Sequence, residues 1–258
     1  MLPMVIIQAR MGSTRLPGKI MLDILGKPVL WHVVMRASRA KYTSGVVIAT
    51  TENREDDVVE DFCKANNIPF YRGAQNDVLD RYYRCAKAHG IKDIVRITAD
   101  CPMQDPNIID LVINDYMQGS CDYATNTLEP GFPEGFDVEV FSFTALEDAW
   151  NNAKLPSERE HVTPYIRNHD RFMKKSVRSQ KKYPNYHCSM DRNEDYIFIK
   201  SVFEGIGKID FNIDDIIVYL DRHRELLEIN QHVIKNEGYL RSLKEDEAFL
   251  SGDLDGKR

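Results

Sequence analysis

The sequence contains no apolar run long enough to span a bilayer, and no charged-then-apolar leader that ends at small residues. Its five cysteines form no C-x-x-C pair, and none is spaced from a histidine as zinc ligands are. An odd, scattered set of cysteines is typical of reduced thiols. We therefore expect a cytoplasmic protein that keeps its thiols reduced and has no membrane partner.

The sequence also lacks an excess of basic residues. Lysine and arginine number 34 against 40 aspartate and glutamate residues, which gives a net charge of -6. Because affinity for nucleic acid rests on neutralising phosphates, this balance argues against a generic nucleic-acid binder. The sequence has no internal repeat, low-complexity linker or shift in composition. We expect one domain over residues 1–258, with a core at about 4–205, a helical part at about 206–250 and a flexible tail at 251–258.

Basic and small residues follow the first apolar run, residues 4–7, which is typical of a buried strand. The loop after it holds Gly12, Ser13, Thr14, Pro17 and Gly18 together with three cations: Arg10, Arg15 and Lys19. Small residues let backbone N–H groups approach a phosphate, and the cations neutralise its charge. The loop is not a Walker A motif, since Ile20 follows Gly18-Lys19, and it is not a dinucleotide fingerprint. It predicts a triphosphate site, with a solvated basic loop as the alternative.

Apolar runs and helical patterns alternate along the first half of the chain. Strands are predicted near residues 46–51, 68–71 and 93–98, with a turn at Arg72-Gly73 and helices beginning near residues 28, 53, 77 and 106. Such alternation predicts an α/β protein: a single Rossmann-like domain with three α/β/α layers and a mostly parallel sheet. Ligands of such sheets bind at the carboxyl ends of the strands.

The second half of the sequence is less regular. Strict alternation predicts a strand over residues 136–140, with Asp137 and Glu139 on one face. A helix over 158–168 and short strands over 172–177 and 187–190 are also predicted. From Asn193 onward the pattern is mainly helical, which predicts a helical C-terminal part.

Two aspartates come directly after predicted strands. Asp100 follows the strand at 93–98, and Asp191 follows the one at 187–190. Magnesium takes oxygen ligands, usually one or two carboxylates completed by phosphates and waters, so two strand-end aspartates facing one triphosphate would suit it. The alternative is that each aspartate caps a helix, Asp100 before Pro102 and Asp191 before Glu194.

Residues 8–19, with the sequence QARMGSTRLPGK, and the following LGKP at 25–28 resemble the N-terminal signature of the sugar-acid cytidylyltransferases. The resemblance is to the spore-coat polysaccharide branch, which is related to the CMP-KDO and CMP-sialate synthetases. It implies that Asp100 and Asp191 bind magnesium and that Arg10, Arg15 and Lys19, with Asp100, carry the chemistry. It also implies a nucleotide site formed by the following residues: Ala9, Arg10, Gly12, Ser13, Arg15, Lys19, Thr50, Arg72 and Gly73.

Further segments carry the same resemblance, which covers about residues 4–205. Residues 75–82 match at a turn and helix start, residues 134–141 match the family's Gly-Leu-Asp-Val-Glu-Val-Phe stretch, and residues 158–165 match this branch. Asp137 and Glu139 are therefore candidates for binding sugar hydroxyls, with a solvated strand face as the alternative. His161 either contacts the substrate or is an ordinary helix histidine. Departures from the pattern are found at Ala99, Phe136, Met190 and Asn193, and none removes a proposed ligand.

The resulting hypothesis is a magnesium-dependent nucleotidyltransferase that moves CMP from CTP to a sugar or sugar acid and releases pyrophosphate, in the synthesis of surface polysaccharide. GTP or another nucleotide with a sugar phosphate stays open. A glycosyltransferase that uses a nucleotide sugar is an alternative, although the Asp-x-Asp motif it needs occurs only at 253–255. A non-catalytic nucleotide-binding subunit is a third possibility. Because relatives are often dimeric, a homodimer is expected.

Overall fold

The computed structural model describes residues 1–234 and 236–252. The Asp-x-Asp motif at 253–255 and most of the predicted tail lie outside these residues. The strands are β1 (Met4–Gln8), β2 (Asp23–Ile24), β3 (Lys27–Pro28), β4 (Val46–Thr51), β5 (Phe70–Gly73), β6 (Asp93–Thr98), β7 (Tyr123–Thr125), β8 (Glu139–Ser142) and β9 (Lys174–Ser176). The helices are α1 (Val29–Ala37), α2 (Asp57–Ala65), α3 (Val78–Ala88), α4 (Pro106–Gln118), α5 (Phe143–Asn152), α6 (Pro156–His161), α7 (Pro164–Asn168), α8 (Asn193–Ile206), α9 (Ile213–Arg222) and α10 (Glu237–Leu250).

One mostly parallel sheet organises the described chain, with the seven-strand order β5-β4-β1-β6-β8-β7-β9. β1 lies between β4 and β6 and is parallel to both, whereas β8 runs antiparallel to β6 and β7. Gln8 at the end of β1 pairs with Ala49 on one side and Thr98 on the other. The basic loop after β1 and the segment after β6 therefore leave the sheet side by side.

Helices cover both faces of this sheet. Along β1, Val5 and Ile7 belong to one apolar cluster, with residues of α1, α4, α8 and α9. Ile6 belongs to the opposite cluster, with residues of α3, α5 and α7. A strand that is apolar on both faces is what burial between two helical layers requires. The predicted α/β architecture with a helical C-terminal part is confirmed.

Two strand predictions differ from the structure, one at the end of β5 and one at the start of β8. The predicted turn at Arg72-Gly73 is the end of β5, where Gly73 pairs with Thr51 of β4. The predicted strand over 136–140 begins only at Glu139, because a side chain occupies the backbone groups before it. The Asn126 amide donates to the Phe136 carbonyl at 2.8 Å and accepts from the Val138 N–H at 2.9 Å.

Two more predicted elements are interrupted. The helix expected over 158–168 is divided into α6 and α7, because Val162 adopts a φ of 71° and Pro164 opens the second helix. A β-branched residue at positive φ is strained by about 1–3 kcal/mol, and this strain lies beside His161. Over 187–190 the structure has a single bridge, between His187 and Glu134, instead of a strand. No helix in the described part of the chain has the length and apolar character to cross a membrane.

Gly135 offers a direct test of how tightly this region is packed. Its φ is +96°, and an added Cβ would lie 2.5 Å from the carbonyl carbon and oxygen of Cys188. Because backbone atoms cannot rotate away, we expect Gly135→Ala to lower the free energy of unfolding by at least about 2 kcal/mol. Denaturant unfolding measures this change. Gly131→Ala is the control, since its nearest contact is 3.8 Å away. Equal stability of the two variants would contradict the prediction.

Candidate functional site

A buried carboxylate holds the basic loop at the end of β1. The Met11 N–H donates to Asp56 Oδ1 at 2.6 Å, and the Thr51 hydroxyl donates to the other oxygen of Asp56. Asp56 is fully buried. The sequence predicts a helix that begins near residue 53, so Asp56 is expected in its first turn. The structure instead puts it in a 3-10 turn, Arg54–Asp56, before α2. No local pattern distinguishes such an anchoring acid from a helix-start acid.

The loop exposes donors that an anion can use. Within residues 1–234 and 236–252, the backbone N–H groups of Gly12, Thr14 and Arg15 have no hydrogen-bond acceptor. The Arg10 guanidinium forms no ion pair within the same residues, and Arg10 lines the cleft beside the loop. Oriented N–H groups and an unpaired guanidinium together favour the binding of a phosphate chain.

Lys19 connects the loop to both predicted metal ligands. Its ammonium lies 2.7 Å from Asp100 Oδ2, 3.0 Å from Asp191 Oδ1 and 2.8 Å from the carbonyl oxygen of Met190. Burial disfavours the cation, but the charges of Asp100 and Asp191 outweigh burial and raise the pKa of Lys19. Burial also disfavours the Asp100 carboxylate, but the charge of Lys19 lowers the pKa of Asp100 to about 2. Both groups are therefore charged at neutral pH.

Arg15 contacts the same oxygen of Asp191 as Lys19 does. Its guanidinium lies 2.7 Å from Asp191 Oδ1 and 3.8 Å from Glu237 Oε2 at the start of α10. Burial opposes the charged form, but the hydrogen bond to Asp191 and the surrounding carboxylates raise the pKa of Arg15. Asp191 thus accepts from two cations, each of which is also a predicted phosphate ligand.

The alternative function of the two aspartates, as helix caps, does not fit the structure. The N-terminal cap of α4 is Asp105, and that of α8 is Arg192. Asp100 and Asp191 instead line a cleft of about 200 Å³. The cleft also includes Gln8, Arg10, Gly12, Ser13, Thr14, Arg15, Lys19, Thr98, Glu160, His161, Gly238 and Arg241.

A buried network lies behind Asp191. Asp195 accepts hydrogen bonds from the backbone N–H groups of Asp191 and Arg192, at 3.0 and 2.8 Å. Its other oxygen lies 3.2 Å from His187 Nε2 and accepts from Asn230. His187 Nδ1 lies 2.7 Å from Glu134. Burial disfavours the imidazolium, but Asp195 and Glu134 raise the pKa of His187 to about 9. A charged histidine between two carboxylates therefore fixes the backbone that carries Asp191.

A second, larger cavity of about 640 Å³ adjoins the cleft, and His161 lines both. Asp137 and Glu139, the two carboxylates predicted to bind sugar hydroxyls, differ in whether their oxygens are free to accept a hydrogen bond. Glu139 is buried and accepts from the hydroxyls of Tyr123 and Thr163 at 2.5 Å, besides its ion pair with Arg96. Asp137 is exposed and lines the cavity. Of the two carboxylates, Asp137 is the one with free capacity for a ligand.

The surroundings of Asp137 disfavour its negative charge. The side chain of Asp137 is exposed to the cavity, but the cavity walls desolvate it, and together with the neighbouring Glu134 and Glu139 they raise the pKa of Asp137 from 3.8 to about 7. A raised pKa means that this carboxyl stabilises the fold fully below pH 3.8 and that the contribution is lost as the pH rises through 7. Without nucleotide, we expect Asp137→Asn to raise the melting temperature relative to the wild type at pH 8 and to change it little at pH 4. Thermal unfolding at both pH values measures the difference.

The exposed Asp61 provides the control for that comparison. Asp61→Asn should alter the melting temperature by similar small amounts at pH 4 and pH 8. If Asp137→Asn changes the melting temperature as Asp61→Asn does at both pH values, the pKa of Asp137 is not raised.

The structure separates four of the residues predicted to form the nucleotide site: Ala9, Thr50, Arg72 and Gly73. Ala9 lines a small cavity of about 90 Å³ next to the cleft. Arg72 lies elsewhere, with its guanidinium bound by Asp57 and Glu60. Thr50 and Gly73 are buried in the sheet, and neither lines the cleft or the cavity at Ala9. The assignment of Thr50, Arg72 and Gly73 to the nucleotide site stays a prediction, and their positions do not favour it.

Several lining residues were missed by sequence reasoning. Gln8 and Arg81 line the small cavity with Ala9, and Glu160 lines both it and the cleft. Gly238 and Arg241 come from α10, more than 200 residues after the basic loop. Glu160 lay within the 158–165 match, which is the one signal that could have indicated it. No sequence pattern indicates that α10 folds back over the cleft.

An open parallel sheet, with a basic loop at the end of β1 and two carboxylates beside it, is the arrangement of a nucleotidyltransferase. The sequence matches the cytidylyltransferase family over residues 4–235, and the chain belongs to this family. The match is longer than the 4–205 expected from motifs alone.

Known proteins similar to this chain include both sequence relatives and solved structures. The spore coat polysaccharide biosynthesis protein SpsF of Bacillus subtilis is 33% identical over 229 residues, 84% of this chain and 93% of that protein. A cytidylyltransferase structure from Leptospira borgpetersenii superimposes with a TM-score of 0.83 at 34% identity, covering 88% of this chain and 97% of that one. The 3-deoxy-manno-octulosonate cytidylyltransferase of Geobacter sulfurreducens is 37% identical over 108 residues, 42% of each chain.

The two carboxylates fit a magnesium ion held jointly with a nucleotide. Within the described residues, no cluster of three or more carboxylate, histidine or cysteine side chains forms a metal cage. Magnesium does not need one, because it is commonly bound by one or two carboxylates with phosphates and waters. Lys19 and Arg15 bond the same oxygen of Asp191, so Asp191 Oδ2 stays available. Lys19 bonds Asp100 Oδ2, and the other oxygen of Asp100 accepts a long contact from the Cys101 thiol, at 3.7 Å.

Proposed function

We propose that this protein is a magnesium-dependent cytidylyltransferase that transfers CMP from CTP to a sugar acid and releases pyrophosphate. The observation that carries the proposal is the cleft in which Arg10, Arg15 and Lys19 face Asp100 and Asp191 and which adjoins a second cavity at His161. A triphosphate matches the first space in charge, and an acceptor sugar matches the second in size. The relatives named above support CTP and an acidic sugar as the two substrates.

The loop residues would bind and orient the triphosphate. The free N–H groups of Gly12, Thr14 and Arg15 and the guanidinium of Arg10 would donate to phosphate oxygens. Lys19 and Arg15 would neutralise the charge that builds up on the leaving pyrophosphate. Asp100 and Asp191 would hold Mg²⁺, which when bound would withdraw charge from the phosphates. The base would lie in the small cavity formed by Ala9, Gln8 and Arg81.

The transfer itself forms one bond and breaks one. A hydroxyl oxygen of the acceptor attacks the α-phosphorus, the bond from that phosphorus to the α–β bridging oxygen breaks, and the electron pair leaves with pyrophosphate. Asp137 is the carboxylate with free capacity in the acceptor cavity, and it would accept the hydroxyl proton. Its pKa of about 7 suits a group that must take up a proton near neutral pH. A cytoplasmic location and a homodimer are part of the same proposal.

Calorimetric titration with CTP, GTP, UTP and ATP, each with and without magnesium, tests the nucleotide assignment. We expect binding that depends on magnesium and is strongest for CTP. Preference for another base would retain the transferase and overturn the CTP assignment. Absence of binding by all four nucleotides would overturn the proposed site. Pyrophosphate release on adding an acceptor separates a nucleotidyltransferase from a glycosyltransferase, which releases none.

A further inference from the structure

Helix α10 follows directly after the segment matched by the cytidylyltransferase family, which ends at residue 235. Polar contacts hold it against α6. Ser242 Oγ donates to Glu160 at 2.7 Å and lies 3.0 Å from His161 Nε2, and Asp246 accepts from the Ser157 N–H at 2.8 Å. Ser242 and Asp246 are the buried residues of α10. Specific hydrogen bonds, and not a buried apolar stripe, therefore fix where this helix lies.

This placement brings α10 into both spaces of the site. Arg241 lines the cleft with the basic loop, whereas Tyr239 and Leu240 line the acceptor cavity. The Tyr239 ring lies edge-on to the His161 ring, with 5.2 Å between centroids. Since His161 lines both spaces, Tyr239 stands at the junction between nucleotide and acceptor.

Tyr239 also contacts the cationic side chain of Arg167. The Arg167 guanidinium lies over its ring, 5.0 Å from the centroid. Of the two arginines that line the acceptor cavity, Arg96 is neutralised by its ion pair with Glu139. Within residues 1–234 and 236–252, no carboxylate forms an ion pair with Arg167. The cavity thus contains a guanidinium that lies against an aromatic ring and whose donors are available to a ligand.

A guanidinium is suited to a carboxylate, which it can bind through two parallel hydrogen bonds. The three glutamates that line this cavity each form an ion pair with a cation other than Arg167: Glu129 with Arg178, Glu134 with His187 and Glu139 with Arg96. A neutral or basic acceptor would therefore leave Arg167 without a carboxylate in an ion pair. We propose that Arg167, positioned by Tyr239 of α10, binds the carboxylate of the acceptor sugar. The inference rests on the proposed function, because it assigns one group of the acceptor to one residue of that site.

Kinetics with an acidic sugar test this assignment. The probes are 3-deoxy-manno-octulosonate, its 8-amino-3,8-dideoxy analogue, the methyl ester of the first, and glucose 1-phosphate, with pyrophosphate release measured at saturating CTP. For the acid that the wild type uses, Arg167→Gln should raise the acceptor KM by about 10- to 100-fold and leave the KM for CTP within twofold. The methyl ester should be a correspondingly poor substrate of the wild type.

Tyr239 acts through Arg167, so its variants distinguish positioning from general packing. Tyr239→Leu should raise the acceptor KM by about 3- to 10-fold, whereas Tyr239→Phe, which keeps the ring, should stay within about twofold of the wild type. Leu243→Ala is the matched control, because Leu243 lies on the same helix, is exposed and lines neither space. It should change no kinetic constant.

The other outcomes would overturn either the assignment of Arg167 to the acceptor carboxylate or the proposed function. An acceptor KM within twofold of the wild type in Arg167→Gln, or equal use of acid and ester, overturns the inference. Arg167-dependent use of glucose 1-phosphate but of no acid assigns the subsite to phosphate and overturns the carboxylate. If CTP binds but no acid is turned over or bound, the inference fails while the nucleotide site stands. If CTP itself does not bind, it is the proposed function that fails.

Discussion

Replacing Lys19 by methionine should lower kcat by about 10²- to 10³-fold, which is the usual effect of removing one preorganised electrostatic contact from a reacting group. The Lys19 ammonium lies within 3.0 Å of both Asp100 and Asp191 and belongs to the loop that would bind the phosphates. Without the ammonium, one cation fewer offsets the negative charges of the two carboxylates and the triphosphate. Methionine retains the length of the buried side chain, so the fold should persist. Pyrophosphate release at saturating CTP and magnesium measures the loss.

Lys92→Met is the matched control for this substitution. Lys92 is exposed and directly precedes β6, at the end of the strand opposite to the cleft. The control should have the kcat of the wild type, and both variants should unfold in a single cooperative transition. A kcat for Lys19→Met within threefold of the wild type would show that Lys19 has no part in the chemistry.

Replacing His187 by asparagine should lower the free energy of unfolding by about 3 kcal/mol near pH 6, because it removes the cation between the buried Asp195 and the half-buried Glu134. Burial works against the imidazolium, but Asp195 and Glu134 raise the pKa of His187 from 6.5 to about 9. A raised pKa stabilises the fold fully below pH 6.5, and this stabilisation is lost as the pH rises through 9. The difference between wild type and variant should therefore shrink between pH 6 and pH 10. Denaturant unfolding across that range measures it.

The same substitution should weaken magnesium-dependent nucleotide binding, because Asp195 holds the backbone N–H groups of Asp191 and Arg192. His89→Asn is the control, since His89 is exposed at the end of α3. The control should change neither stability nor nucleotide binding. A His187→Asn difference that stays constant from pH 6 to pH 10 would contradict a charged histidine at this position.

Local patterns were enough to predict much of the first half of the fold. The strand at Asp93–Thr98 has the predicted bounds, and Asp77 caps α3 by accepting from the Asp80 N–H at 2.9 Å. A strand between two helical layers must be apolar on both faces, and a helix start must satisfy its first N–H groups. Both requirements are met by residues that are neighbours in sequence, so both can be recognised without the tertiary structure.

Where the strand prediction at 136–140 was wrong, a distant residue had changed the local preference. The alternation at 136–140 is typical of a strand, but Asn126 occupies the backbone groups of Phe136 and Val138. The helical pattern at 158–168 is instead broken locally, where Val162 adopts a positive φ and Pro164 opens a new helix. The assignment of Glu139 as a sugar ligand stays a prediction. Glu139 has the position expected of a sugar ligand, yet Arg96, Tyr123 and Thr163 already use its oxygens. Sequence spacing carries no information on such partners.

The sequence by itself determined the architecture, the family and the chemical groups: a basic loop after the first strand and two aspartates further along the chain. Only the tertiary structure decided how these groups meet. Lys19 bonds Asp100 and Asp191 from 81 and 172 residues away, and α10 returns to line both spaces of the site. Propensity and periodicity act over a few residues, whereas the pairing of charges depends on where the folded sheet brings the strand ends.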